Sequence, residues 1–162
     1  MSERRGIGLL VLLGLLAGCT KTAKSEDALE IKQETVAGYA ISVPPGAVAR
    51  IETTTPGQPS SRVFTADDVT IDVMMTERTS ALAVKSMDDA IKTIPPAGMA
   101  RPTERQELSP QDFLVVMAPA VGMAEVWMWR QGATRVARAR CLGPDTKLAR
   151  LKEICSSLRA ID

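Results

Sequence analysis

The sequence predicts an α+β domain in which helices flank an antiparallel β-sheet. The clearest strand signal is the alternation of apolar and polar side chains from Val69 to Met75, which is typical of a strand with one buried face. Two further strands, at 123–130 and 134–142, follow each other closely, as antiparallel neighbours do. Two amphipathic stretches, at 86–94 and 145–161, supply the helices.

A hydrophobic N-terminal segment is interpreted as a secretion signal. Arg4 and Arg5 precede an apolar run from Ile7 to Ala17, which is well short of the roughly 20 residues that a membrane-spanning helix needs. The run ends in Leu16-Ala17-Gly18-Cys19, where small residues precede the cysteine, as a signal peptidase requires. An uncleaved membrane anchor is the less favoured alternative.

These last four residues, Leu16-Ala17-Gly18-Cys19, resemble the lipobox of bacterial lipoproteins. The resemblance implies that residues 1–18 are a cleaved lipoprotein signal peptide and that Cys19 is lipidated with acyl chains such as palmitate. It also implies a membrane anchor at Cys19 and, because Thr20 and not aspartate follows, a periplasm-facing position on the outer membrane. One acyl chain binds a membrane only marginally, whereas three together anchor a protein stably.

The remaining chain is interpreted as a lipidated flexible tether, 19–34, and a single α+β domain, 35–162. The tether is polar, with Leu29 and Ile31 as its only large apolar residues, and this composition favours a solvated spacer over a first strand. Within the domain, the other strands are predicted at 39–43, 48–54, 63–64, 104–108 and 113–118.

A tight turn joins the two late strands and allows their register to be predicted. If Arg130 pairs with Ala133, Glu125 lies opposite Arg138, whereas a turn one residue later places Glu125 opposite Arg140. Both registers give the same two sides, because side chains alternate along a strand. One side is small and apolar.

The other side of this strand pair is the candidate partner-binding face. Its members are two tryptophans and two arginines, namely Trp127, Trp129, Arg138 and Arg140. Tryptophan and arginine are the residues most enriched at binding hot spots. The alternative is that the middle helix, at 86–94, covers this side.

Cys141 and Cys155 are predicted to form a structural disulfide. Cys141 lies on the small apolar side of the last strand, and Cys155 lies on the apolar stripe of a helix that starts near Asp145. Once Cys19 is lipidated, these two cysteines remain. In an exported protein such a pair typically forms a disulfide. Closing a loop of about 15 residues stabilises a fold by roughly 3 kcal/mol.

The composition argues against several classes of function. The chain contains no histidine, the commonest metal ligand and proton-transfer side chain, so we expect no metal site and no cofactor. The charge is nearly balanced, with 20 Lys+Arg against 19 Asp+Glu, and aromatic residues are few, which does not favour nucleic-acid binding. The C-terminal quarter is basic, and a solvated face is the favoured interpretation over an anion site.

Four elements occur in a recognisable order. They are a Gly-Tyr-Ala-Ile-Ser-Val-Pro strand at 38–44, the middle helix, the paired late strands and a closing helix with Ser156-Ser157-Leu158. This order resembles the PsbP-like α/β/α sandwich. The resemblance implies a non-enzymatic accessory or binding domain, and it assigns no functional residue.

Together these features predict an envelope-anchored lipoprotein whose domain binds an envelope protein. The alternative is a small protein inhibitor or immunity-type lipoprotein that acts through a loop at 54–62. An enzyme is disfavoured, because the sequence has no nucleophile elbow, phosphate-binding loop or metal-ligand spacing. The carboxylate pairs Asp67-Asp68 and Asp88-Asp89 are interpreted as solvated charge.

Overall fold

The computed structural model describes residues 30–34, 39–52, 60–78, 83–95 and 101–160. The lipobox at 16–19, most of the tether, and residues 53–59 of the loop that the inhibitor hypothesis uses lie outside these ranges. Lipidation and the inhibitor loop therefore stay predictions. Across the ranges just given, no helix is both long enough and apolar enough to span a bilayer.

Seven antiparallel strands form a large sheet, which confirms the predicted fold class. In spatial order they are β3 (Val48–Glu52), β4 (Ser60–Ala66), β5 (Val69–Glu77), β9 (Arg135–Pro144), β8 (Met123–Gln131), β7 (Asp112–Met117) and β6 (Pro102–Ser109). The strand with the clearest alternation, β5, lies inside the sheet between β4 and β9.

A smaller three-stranded sheet is built on β2 (Tyr39–Val43). Its edges are β1 (Glu30–Glu34) and β10 (Arg159–Ala160). The sequence interpretation placed 30–34 in the flexible tether, whereas the structure pairs this backbone with β2. β2 is buried along its whole length, and pairing with β1 satisfies backbone N–H and C=O groups of β2.

One face of the large sheet packs against α2 (Leu148–Ser156). The core on this face includes Ile71 of β5, Val126 of β8, Ala139 of β9 and Ile154 of α2. These strand residues are the apolar members of the predicted alternation. The small residues of β9 let the helix approach closely, as expected for the side that carries Cys141.

The opposite face of the sheet is covered in part by α1 (Met87–Thr93). Met87 and Ala90 pack with Trp127 and Trp129 in a second core. As predicted, Ser86 caps this helix, and its hydroxyl accepts a hydrogen bond of 3.2 Å from the N–H of Asp89. Helices on both faces of the sheet give an α/β/α arrangement.

The last helix begins later than the sequence predicted. Asp145 opens a 3₁₀ turn, Asp145–Lys147, and α2 starts at Leu148 without a side-chain cap. The cause is that β9 continues through Pro144, so the short turn redirects the chain from the sheet to the helix. The N–H of Asp145 donates to the carbonyl oxygen of Gly122 at 3.0 Å.

The register of β8 and β9 differs from both predicted registers. Glu125 lies opposite Leu142. β8 continues to Gln131, and the turn spans 132–135. Within this turn the N–H of Gly132 donates to the carbonyl oxygen of Arg135 at 2.8 Å. The longer turn shifts the pairing by an even number of residues, so each side keeps its predicted members.

Candidate binding face

Part-exposed side chains of β5 and β9 lie beside the area that α1 covers. We call this surface the arginine face, and its members are Asp72, Met74, Thr76, Arg138 and Arg140. Asp72 pairs across the strands with Arg140, and Met74 pairs with Arg138. Their common parity places all five side chains on the same side of the sheet.

Trp127 supports both arginines from the neighbouring strand β8. It lies directly opposite Arg140. The guanidinium carbons of Arg138 and Arg140 lie 4.9 and 5.5 Å from the centroid of the indole ring, within the range of a cation–π interaction. Trp127 in turn stacks on Trp129, with ring centroids 6.0 Å apart. The two stacked tryptophan rings therefore position both guanidinium groups.

A buried carboxylate fixes Arg140. Glu125 is only 1% exposed, and it accepts a hydrogen bond from Nε of Arg140 in an ion pair. Because a buried carboxylate is unfavourable without a partner, this pair ties the orientation of Arg140 to the stability of the fold.

Arg138 has weaker support from hydrogen bonds. Its Nη2 donates to the sulfur of Met74 at 3.4 Å, and a thioether is a weak acceptor. Burial lowers the pKa of Arg138, the carboxylate of Asp72 opposes that shift, and the charge of Arg140 adds to it. A carboxylate placed over Arg138 would be a better acceptor than sulfur.

The two tryptophans are not part of the exposed surface, which corrects the predicted face. Trp127 and Trp129 are 3% and 1% exposed, beneath α1. The alternative that the middle helix covers this side holds for the tryptophans, whereas Arg138 and Arg140 reach the surface. The sequence could not separate these outcomes, because strand parity does not show where a helix crosses the sheet.

The arginine face offers no room for a buried small molecule. A space of about 10 Å³ is lined by Met74, Thr76, Trp129, Val136 and Arg138. Such a space holds at most about one water molecule. Among the described residues, no cluster of carboxylates or thiols could hold a metal ion.

Cys141 and Cys155 form a disulfide on the other side of the sheet. Their Cα atoms are 6.1 Å apart, within the usual range of about 4.4–6.8 Å. Both cysteines are fully buried, and the bridge joins β9 to α2. The structure supports the predicted pairing.

Sequence reasoning missed the role of Arg130. Its Nε and Nη2 donate to the carbonyl oxygens of Leu158 and Ser156 at 3.0 and 3.2 Å. Its Nη1 forms an ion pair of 2.8 Å with Asp112. Arg130 thus holds the end of α2 against the sheet. No local pattern in the sequence indicates a contact between segments so far apart.

Solved structures share this architecture. The solution structure of CyanoP, the cyanobacterial PsbP of Synechocystis sp. PCC 6803, has a TM-score of 0.60 at 15% identity and covers 91% of this chain and 99% of its own. The fold is PsbP-like. The Ran-binding protein Mog1p of Saccharomyces cerevisiae has a TM-score of 0.54 at 8% identity, covering 84% of this chain and 97% of its own. No family model matches the sequence, and no curated protein matches it.

The PsbP-like domain thus presents two different faces. On one side of the large sheet, α2 and the disulfide cover the core. On the other side, α1 covers Trp127 and Trp129, and the arginine face lies beside these tryptophans. At these identities the likeness shows the fold alone.

Proposed function

We propose that this chain is an envelope-anchored lipoprotein whose PsbP-like domain binds a protein partner and catalyses no reaction. Lipidation at Cys19 anchors it to the periplasmic side of the outer membrane, and the arginine face contacts the partner. The likeness of its fold to a Ran-binding protein supports a binding role. The space at the arginine face, about 10 Å³, is too small for a small molecule, so we expect the partner to be a macromolecule.

The arrangement of Arg138 and Arg140 is the observation that carries this function. Glu125 holds Arg140, and the ring of Trp127 lies against both guanidinium groups. Side chains that are already ordered lose less entropy when a partner binds. A partner carboxylate over Arg138 would replace the weak sulfur acceptor of Met74 with a charge-assisted bond.

Site-specific photocrosslinking tests the binding function. A photoreactive residue at Thr76, in the full chain expressed in its native envelope, is expected to give one discrete adduct, and Arg138→Ala is expected to abolish it. Gln106, which is exposed on β6, is the matched control position and should give no such adduct. An adduct that persists with Arg138→Ala, or that forms equally from position 106, contradicts this function.

Metabolic labelling with a fatty acid tests the anchor at Cys19. The Cys19→Ser variant is expected to accumulate as an unprocessed precursor without label. The other two cysteines cannot take the lipid in its place, because Cys141 and Cys155 are buried in a disulfide. Label retained by Cys19→Ser contradicts the anchor.

A further inference from the structure

The turn between β7 and β8 has an entirely apolar tip. Residues 118–122 read Ala-Pro-Ala-Val-Gly, and Val121 is 104% exposed. Turns usually carry Asn, Asp or Ser beside Gly and Pro. A single exposed valine is ordinary, but here the whole projecting segment lacks a polar side chain.

Two backbone hydrogen bonds are formed at this tip. The N–H of Met123 donates to the carbonyl oxygen of Ala120 at 3.2 Å, and the N–H of Asp145 donates to that of Gly122 at 3.0 Å. Gly122 has a φ of 75°, which favours glycine. In such a four-residue turn Val121 is at a central position, so its side chain projects outward from the protein.

The tip lies at the end of the domain from which the chain leads to Cys19. One row of paired residues crosses the large sheet near this end, namely Val48, Thr65, Thr70, Leu142, Glu125, Met117 and Pro102. The tip follows Met117 and lies beyond that row. Glu30, where β1 begins, pairs with Val43. The next residue, Pro44, shares a cleft with Asp68 and Lys147 beyond the same row.

The length of the connecting segment keeps this end near the membrane. The roughly 11 residues from Cys19 to Glu30 can span at most about 40 Å. β9, with 10 residues, adds about 33 Å between this end and the opposite one. A chain anchored at Cys19 therefore brings the apolar tip to the lipid more readily than it brings the opposite end.

The turns at the opposite end of the domain carry polar side chains, and Leu108, at 39% exposure, lies near them at the end of β6. The β8–β9 turn carries Thr134 and Arg135, and the β6–β7 turn carries Gln111 and Asp112, all in contact with solvent. Val48, a second large apolar residue at 61% exposure, lies in the row at the tip's end. The two ends of the domain thus differ in their turns, because the tip has no polar side chain whereas the two turns at the opposite end do. Charged residues, including Asp67 and Asp145, also lie at the tip's end.

We propose that the apolar tip at 118–122 inserts into the membrane interface and so orients the domain on the bilayer. This inference rests on the lipid anchor of the proposed function. The segment itself carries no charge. Beside it lie the exposed carboxylate of Asp145 and an ion pair of 2.8 Å between Asp68 and Lys147. Insertion is therefore driven by apolar burial, and it does not depend on anionic lipid or on low salt.

Depth-dependent fluorescence quenching tests this orientation. The full lipidated protein carries an environment-sensitive fluorophore at Val121→Cys, or at Thr134→Cys as the matched control on the opposite turn. Cys141 and Cys155 do not react, because they are joined in the buried disulfide. In phosphatidylcholine vesicles with spin-labelled acyl chains, the probe at 121 is expected to lose most of its emission at low and at high salt. The probe at 134 is expected to keep its emission.

The outcomes separate this inference from the anchor. Vesicle flotation reports the anchor, and quenching reports the tip. If both proteins float and the two probes are quenched equally, the inference is wrong while the anchor stands. If neither protein floats, the anchor is wrong and the inference falls with it.

Discussion

Trp127 acts in this protein as a support for charge. It is buried, yet the part-exposed side chains of Arg138 and Arg140 both lie against its ring. A substitution at Trp127 would therefore change the exposed surface without altering any residue that a partner touches. The arginine face depends on a second layer of side chains as much as on its own members.

The ion pair between Arg140 and Glu125 is expected to contribute measurably to stability. Arg140→Met leaves the carboxylate of Glu125 buried and uncompensated, so we expect a loss of about 3 kcal/mol in the free energy of unfolding. Denaturant unfolding measures it. In a Glu125→Gln background the same substitution should have a much smaller effect, and equal losses in both backgrounds would rule out the ion pair as the cause.

Tyr39 makes the fold sensitive to alkaline pH. Its hydroxyl donates to the carbonyl oxygen of Arg135 at 2.9 Å, and burial raises the pKa of Tyr39. The hydroxyl loses its proton more readily in the unfolded chain, where its pKa is about 10, than in the folded protein. Its contribution to the free energy of unfolding is therefore complete below that pKa and is lost as pH rises through the folded pKa. Urea unfolding between about pH 8 and 11 should therefore show a decline that Tyr39→Phe reduces. Identical pH profiles for the two proteins would contradict this role.

Strand parity was predictable from the sequence, whereas strand register was not. Alternation assigns each residue of β8 and β9 to a face without reference to the partner strand, so the two sides were correct. Register depends on the length of the turn, and a Gln-Gly pair suggested two residues where the structure has four, at 132–135. Similarly, Asp145 has the chemistry of a helix cap but lies in a 3₁₀ turn, because β9 extends further than its alternation indicated.

The disulfide between β9 and α2 is expected to stabilise the domain by roughly 3 kcal/mol. Protein taken from the envelope should show no alkylated thiol by intact mass when no reductant is present. Reduction should then lower the melting temperature. Two alkylated thiols without reductant would contradict the bridge and would reopen a reactive role for Cys141 and Cys155.

The layered fold as a whole followed from the order of the elements, but the exposed surface did not. The predicted PsbP-like fold is confirmed by a solved structure that matches most of the chain. The path of α1 across the sheet decides that Trp127 is buried whereas Arg138 stays part-exposed. Such a path depends on contacts among distant segments, which single-sequence periodicity does not encode.

The pairing of β1 with β2 predicts where the domain can be shortened. A chain that starts at residue 28 keeps β1, whereas a chain that starts at residue 36 leaves one edge of β2 without its hydrogen-bond partner. We expect the shorter form to melt at least about 3 °C lower. Thermal unfolding of both forms checks this, and equal melting temperatures would show that residues 30–34 behave as part of the tether.

The burial of both tryptophans of the chain beneath one short helix has a spectroscopic consequence. Trp127 and Trp129 share their core with α1, while α2 and the disulfide stabilise the other face. Intrinsic fluorescence therefore reports the docking of α1, whereas far-ultraviolet circular dichroism reports the whole fold. If α1 detaches first, as a short element with few contacts is inclined to do, the emission shifts to the red at a lower denaturant concentration than the ellipticity changes. Coincident transitions would show that the two layers unfold as one unit.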